Sequence, residues 1–160
     1  MPKPHLFHCQ LVWTGAVAGS TQSYDSYSRN FRIAFAGKPP LQGSAAGIYK
    51  GDDALANPED LLVASLAGCH FLSYLAVCAR AGVEVVDYQD NPEGTMQIKD
   101  GAMRFTDVLL RPQVLLAPGA DLAKAEALHE RAHHDCFIAN SVNFPVRFQA
   151  TVTIRGHQNV

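Results

Sequence analysis

An α+β fold is predicted for this 160-residue chain by three observations. The segments run as strands, a long apolar helix, strands, an amphipathic helix and a last strand, an order that does not suit a βαβ winding. Residues 61–81 are apolar nearly all round. Residues 145–155 place Val146, Phe148, Ala150, Val152 and Ile154 at every second position, the period of a half-buried strand.

The size fits one domain over residues 1–160, and 48% hydrophobic residues suffice for a core without metal or disulfide staples. A formal charge of -2, with 13 Lys and Arg scattered rather than striped, argues against a nucleic-acid partner. Residues 1–8 lack a signal-peptide core, and the longest strictly apolar stretch, 61–68, is short for a bilayer crossing. A cytoplasmic protein without a membrane partner is expected. Four cysteines, at positions 9, 69, 78 and 136, do not form a secreted disulfide framework.

Residues 7–17, with Trp13, and residues 32–35 read as strands of an antiparallel front sheet. Residues 37–56 hold four glycines and two prolines without a period, which marks a long connection. Asn57-Pro58-Glu59-Asp60 then writes a helix start, with Asn as N-cap, Pro in the first turn and two acids where the helix dipole favours them. The helix stops at Gly82. Residues 83–88, 95–99 and 108–116 read as strands, with Asp100-Gly101 as a hairpin turn. A polar helix opens over 118–121 and runs to about His134, a short helical stretch follows around 136–141, and 145–155 is the last strand.

A helical cysteine is most often a small buried hydrophobe. Cys78 reads so, because nine positions at about 100° each turn it to the face opposite Cys69, and Cys9 reads so within the first strand. Cys136 differs: it stands at a helix break behind His133, His134 and Asp135, where a neighbouring cation or helix N-terminus lowers a thiol pKa. Cys69, Cys136, His70, His133 and His134 could also be read as zinc donors, but no Cys-x-x-Cys is present and the spacing is poor. His129 and His133, at i and i+4, read as a solvated polar face.

The hexapeptide Asn57-Pro58-Glu59-Asp60-Leu61-Leu62, with Cys69 ten residues after Glu59 and Cys136 near the C-terminal strand, resembles the OsmC/Ohr family of organic hydroperoxide reductases. Residues 24–33 (YDSYSRNFRI) and 136–145 (CFIANSVNFP) look like a less studied OsmC-like branch, with Phe137 after the second cysteine where better-known members have proline. The resemblance implies antiparallel sheets around a long buried central helix, an intertwined homodimer, no cofactor, and reduction of organic hydroperoxides regenerated by a lipoyl-type dithiol. It implies Cys69 as the peroxidatic thiolate, Cys136 as the resolving thiol and Glu59 as a polar partner. Its arginine corresponds either to Arg29 or, by position, to Lys50; each also reads as a solvated charge. A non-catalytic redox sensor or small-molecule binding protein on the same scaffold is the competing reading.

One deduction is independent of the family. Ten residues of straight helix separate Glu59 from Cys69 by about 15 Å, too far to share a site within one helix. Joint action requires a second copy of the chain.

Overall fold

The structure, a computed structural model, describes residues 3–156. Its contacts gather into two compact units, Met1–Leu61 and Leu62–Val160.

The first unit holds one antiparallel sheet of β1 (Gln10–Trp13), β2 (Phe31–Ala34) and β3 (Leu41–Gly43), with β2 central. The strand expected over 7–17 is shorter than predicted, because a 3-10 turn takes Thr14–Ala18. Cys9 precedes β1 and is exposed, so it is not the packed strand residue expected. The long connection contains β3 and a 3-10 turn at Gly47–Tyr49.

The first helix, α1, spans Pro58–Ala81. Its start is a reciprocal cap: Asn57 Oδ1 accepts from the Asp60 N–H at 2.8 Å, and the Asn57 N–H donates to Asp60 Oδ2 at 3.1 Å. Its end is a Schellman motif, with Val83 N–H donating to the Cys78 carbonyl, Gly82 N–H to that of Ala79, and Gly82 at φ 71°. With 24 residues and an 18-residue stretch of mean hydropathy 1.9, α1 is by length and composition long and apolar enough to cross a membrane, which corrects the expectation drawn from the strictly apolar run alone. Its burial is a stripe rather than all-round: Leu66, His70, Tyr74, Val77 and Cys78 are buried, while Leu72 on another face is 65% exposed. These spacings form one side of a helix, the side that packs on the second unit's sheets and second helix.

The second unit adds β4 (Val85–Asp90), β5 (Glu93–Lys99), β6 (Ala102–Leu110), β7 (Pro112–Leu116), α2 (Leu122–His134), β8 (Val146–Phe148) and β9 (Thr151–Ile154). Asp100 and Gly101, both at positive φ, close the β5–β6 hairpin as a two-residue turn needs. Asp121 caps α2 through Lys124 N–H.

Two strand expectations are corrected. The segment 108–116 divides between β6 and β7, and 145–155 between β8 and β9; β8 joins β6 and β9 joins β7, so the sheets run β5-β6-β8 and β4-β7-β9. The β6–β8 and β7–β9 ladders are parallel, not antiparallel. The chain reaches β8 and β9 by crossing over through α2, which is what permits parallel pairing. The two ribbons change sheet side by side, at Arg111-Pro112 and at Gln149-Ala150, with Gln149 N–H held by the Leu110 carbonyl.

Leu66, Val108, Leu110 and Val146 form one core cluster. Tyr74, Val77, Cys78, Val114, Leu116, Ala125, Ala132 and Val152 belong to the other, between α1, α2 and β4-β7-β9.

Candidate active site

The residues after α2 turn back onto α1 and bring Cys136 to Cys69. Asp135 closes α2, Asn140 N–H donates to the Cys136 carbonyl, and a 3-10 turn follows at Ala139–Ser141. This turn aims two backbone amides at sulfur: Ile138 N–H donates to Cys69 Sγ at 3.5 Å and Ala139 N–H to Cys136 Sγ at 3.4 Å. Such donors favour an anionic sulfur.

Cys69 is partly exposed and Cys136 is 1% exposed; neither is in a disulfide. Burial pushes the Cys136 thiol up to about 11, and its hydrogen bond to Cys69 adds to the shift. The lowered pKa expected for Cys136 is therefore corrected. His134, beside it in sequence, is directed to Asp135 at 3.0 Å rather than to the thiol, and that carboxylate also takes Arg131. Cys136 is a buried thiol in hydrogen-bond contact with the more accessible Cys69.

Cys69 opens into a groove of about 830 Å³ between one face of α1 and residues 134–140. Leu72, Ala76, Phe137 and Ile138 make its walls apolar, and Arg80 lies along it. Behind α1, His70 Nε2 meets His129 Nδ1 at 3.1 Å with the rings stacked 5° from parallel, and Tyr74 stacks on His129 at 3.8 Å. Both histidines are fully buried, which overturns the solvated reading of His129. Burial lowers His70 to about 4, with the charge of His133 assisting, and His129 to about 3, with that of His70 assisting. Among the described residues no group of three His, Cys, Asp or Glu side chains could hold a metal.

In the first unit, Arg29 and Glu59 line one groove of about 480 Å³ with Trp13, Tyr27, Phe31 and Tyr49. The Arg29 guanidinium donates to the Tyr27 carbonyl at 2.5 Å and to that of Tyr24, and lies 4.0 Å from the Tyr27 ring centre. A guanidinium so clamped is preorganised. Lys50 is outside that groove's lining, paired with Asp25 at 2.9 Å with both side chains exposed. The structure thus joins Arg29 with Glu59 and Cys69 with Cys136, and leaves Lys50 apart.

The sequence reading missed the amides of Ile138 and Ala139, which carry no residue-type signal, and Arg80. The position of Arg80, eleven residues after Cys69, is the signal that was there: eleven steps of 100° return to the same helix face.

The family model for OsmC-like protein matches residues 51–151, which include both thiols and most of the chain. The chain belongs to the OsmC-like family. Among relatives of this OsmC-like chain, the uncharacterized protein YmaD of Bacillus subtilis is 29% identical over 105 residues, covering 62% of this chain and 70% of that one. An OsmC-like protein of unknown function from Vibrio cholerae, VCA0330, shares 29% identity at a TM-score of 0.85, covering 92% of this chain and all of the other. An organic hydroperoxide resistance protein of Elizabethkingia anophelis has the same fold, with 21% identity and a TM-score of 0.68 over 97% of this chain and all of that one.

Proposed function

We propose that this OsmC-like protein is a cofactor-free, cytoplasmic, thiol-dependent peroxidase for organic hydroperoxides. The observation that carries the reading is the Cys69–Cys136 pair, with a partly exposed thiol receiving a backbone amide and in contact with a buried thiol. Organic hydroperoxide resistance proteins share its fold, and the apolar groove at Cys69 suits a hydrocarbon tail.

The Cys69 thiolate attacks the outer peroxide oxygen, the O–O bond breaks, and the alkoxide takes a proton to leave as alcohol while Cys69 becomes a sulfenic acid. The Cys136 sulfur then attacks Cys69, expelling water and closing a disulfide. A dithiol of the lipoyl type reduces that disulfide by two exchange steps and is itself oxidised to a disulfide.

Arg29 would supply the positive charge that stabilises thiolate and departing oxygen, and Glu59 would orient it. Ten residues on one helix keep Glu59 about 15 Å from Cys69, so a homodimer, with the Arg29–Glu59 groove of one protomer presented to Cys69 of its partner, completes the proposal. One equivalent of cumene hydroperoxide, followed by non-reducing peptide mapping, tests the thiol chemistry. A Cys69–Cys136 crosslink formed in step with cumyl alcohol is expected. Alcohol release without that crosslink, or no oxidation at all, contradicts it.

A further inference from the structure

Among the described residues three side-chain hydrogen bonds tie α1 to α2, and they succeed one another in antiparallel order toward the thiols. Lys124 Nζ donates to the Ala81 carbonyl at 2.7 Å and the Tyr74 hydroxyl to the Ala125 carbonyl at 3.1 Å; one turn further along both helices, His70 Nε2 meets His129 Nδ1 at 3.1 Å. His70 follows Cys69 directly, and Cys136 stands just beyond the end of α2. The histidine contact is therefore the tie nearest to the Cys69–Cys136 contact. It lies wholly within the second unit and both rings are fully buried, so a second copy of the chain over Cys69 leaves it untouched.

This tie is costly for a core. Burial keeps both rings neutral, His70 at about 4 and His129 at about 3, and His70 Nδ1 and His129 Nε2 have no hydrogen-bond partner among the described residues. Tyr74 stacks on His129, and Phe148 of β8 lies 5.5 and 5.6 Å from the two ring centres. Leucines would fill such surroundings without stranding polar atoms. What leucines lack is direction. An N–H aimed at a ring nitrogen holds only over a narrow range of distance and angle, so it fixes how α1 and α2 are rotated and slid against each other.

Resting on the thiol pair of the peroxidase reading, we propose that His70 and His129 are positioning residues, whose mutual hydrogen bond sets the helix register that holds Cys136 against Cys69 for disulfide closure. The lever is short. His70 is one residue, a rise of about 1.5 Å, from Cys69, and a displacement of about 1 Å between reacting groups costs an intramolecular step tenfold or more.

The effective concentration of Cys136 toward Cys69 reads this without any peroxide. The protein is equilibrated at pH 7.5 in glutathione buffers, where two protein thiols and one glutathione disulfide give one protein disulfide and two glutathione thiols, and the Cys69–Cys136 peptide is quantified by mass spectrometry after acid quenching. His129→Asn puts an amide where Nδ1 stood and His70→Gln puts one where Nε2 stood, so each keeps the tie and stays within about threefold of the unmodified protein. His70→Leu combined with His129→Leu removes both partners at once; its urea midpoint matches or exceeds that of His129→Asn, yet its effective concentration falls about tenfold. Closure then ranks the variants against their stability, which a purely structural role would not do. An effective concentration that follows the urea midpoint across the set, or one unchanged in the double Leu variant, overturns the proposal. A protein that forms no Cys69–Cys136 disulfide in any buffer overturns it together with the two-thiol mechanism. Cumene hydroperoxide turnover on the unmodified protein separates the two readings. If none is seen while the glutathione equilibrium still depends on the histidines, the peroxidase reading fails and the positioning role stands; turnover beside equal effective concentrations in all variants removes the positioning role alone.

Discussion

The buried Cys136 thiol is in hydrogen-bond contact with Cys69, which alone of the two lines the groove. In the proposed mechanism the exposed Cys69 reacts first and Cys136 acts after it. Replacing Cys136 by Ser should preserve one turnover and then trap Cys69 as sulfenic acid, advancing to sulfinic acid under excess peroxide. Intact-mass spectra showing one and then two added oxygens on Cys69 check this. A variant that still recycles with dithiol would place resolution elsewhere.

Disulfide closure should quicken with pH. With Cys136 pushed up to about 11 by burial, only a small fraction is thiolate at neutrality, so closure should rise about tenfold per pH unit between pH 7 and pH 10 and level off near 11. Stopped-flow intrinsic fluorescence after a single equivalent of peroxide measures it. A closure rate flat over that range would mean that Cys136 is ionised at neutrality after all.

The fold should weaken in acid through His70 and His129. Their folded pKa values, about 4 and about 3, lie below the ordinary 6.5, so the unfolded chain binds more protons as pH falls. Their contribution is complete above pH 6.5 and is lost from there down toward pH 4 and 3, on the order of a few kcal/mol for the pair. Urea midpoints at pH 7.5, 6 and 5 check the sign, and His129→Leu should reduce the slope by about one proton.

The two candidate cations should separate cleanly. Arg29, clamped by two carbonyls in the groove it shares with Glu59, should cost about a hundredfold in kcat/KM as Arg29→Ala, the scale of one lost preorganised donor. Lys50→Ala should stay within about twofold, because the Lys50–Asp25 pair is solvent-exposed. Steady-state peroxidase kinetics on both variants decide, and the reverse ranking would move the role to Lys50.

Features fixed by neighbours in sequence were legible in it. The Asn57–Asp60 cap, the Gly82 stop and the Asp100-Gly101 turn are all local, and all are present. Partners distant in sequence were not legible. The alternation over 145–155 is real, but nothing in it says that Gln149-Ala150 passes the chain from β6 to β7. His129 read as solvated because i, i+4 spacing with His133 marks a face without saying what covers it; Tyr74, His70 and Phe148 cover it. Cys136 was misjudged for the same reason: His134 is adjacent in sequence but occupied by Asp135, while the burial that raises the thiol comes from the fold. The Cys69–Cys136 pairing was implied by the family pattern alone; in the structure the two free thiols are in contact.

Turnover of cumene hydroperoxide with excess reduced lipoamide, run on the intact protein beside Cys69→Ser and Cys136→Ser, tests the central claim most directly. Continuous cycling by the unmodified protein, a dead Cys69 variant and a Cys136 variant that stops after one turnover are predicted. A protein that oxidises once and does not cycle would contradict the peroxidase account and make the pair a redox sensor.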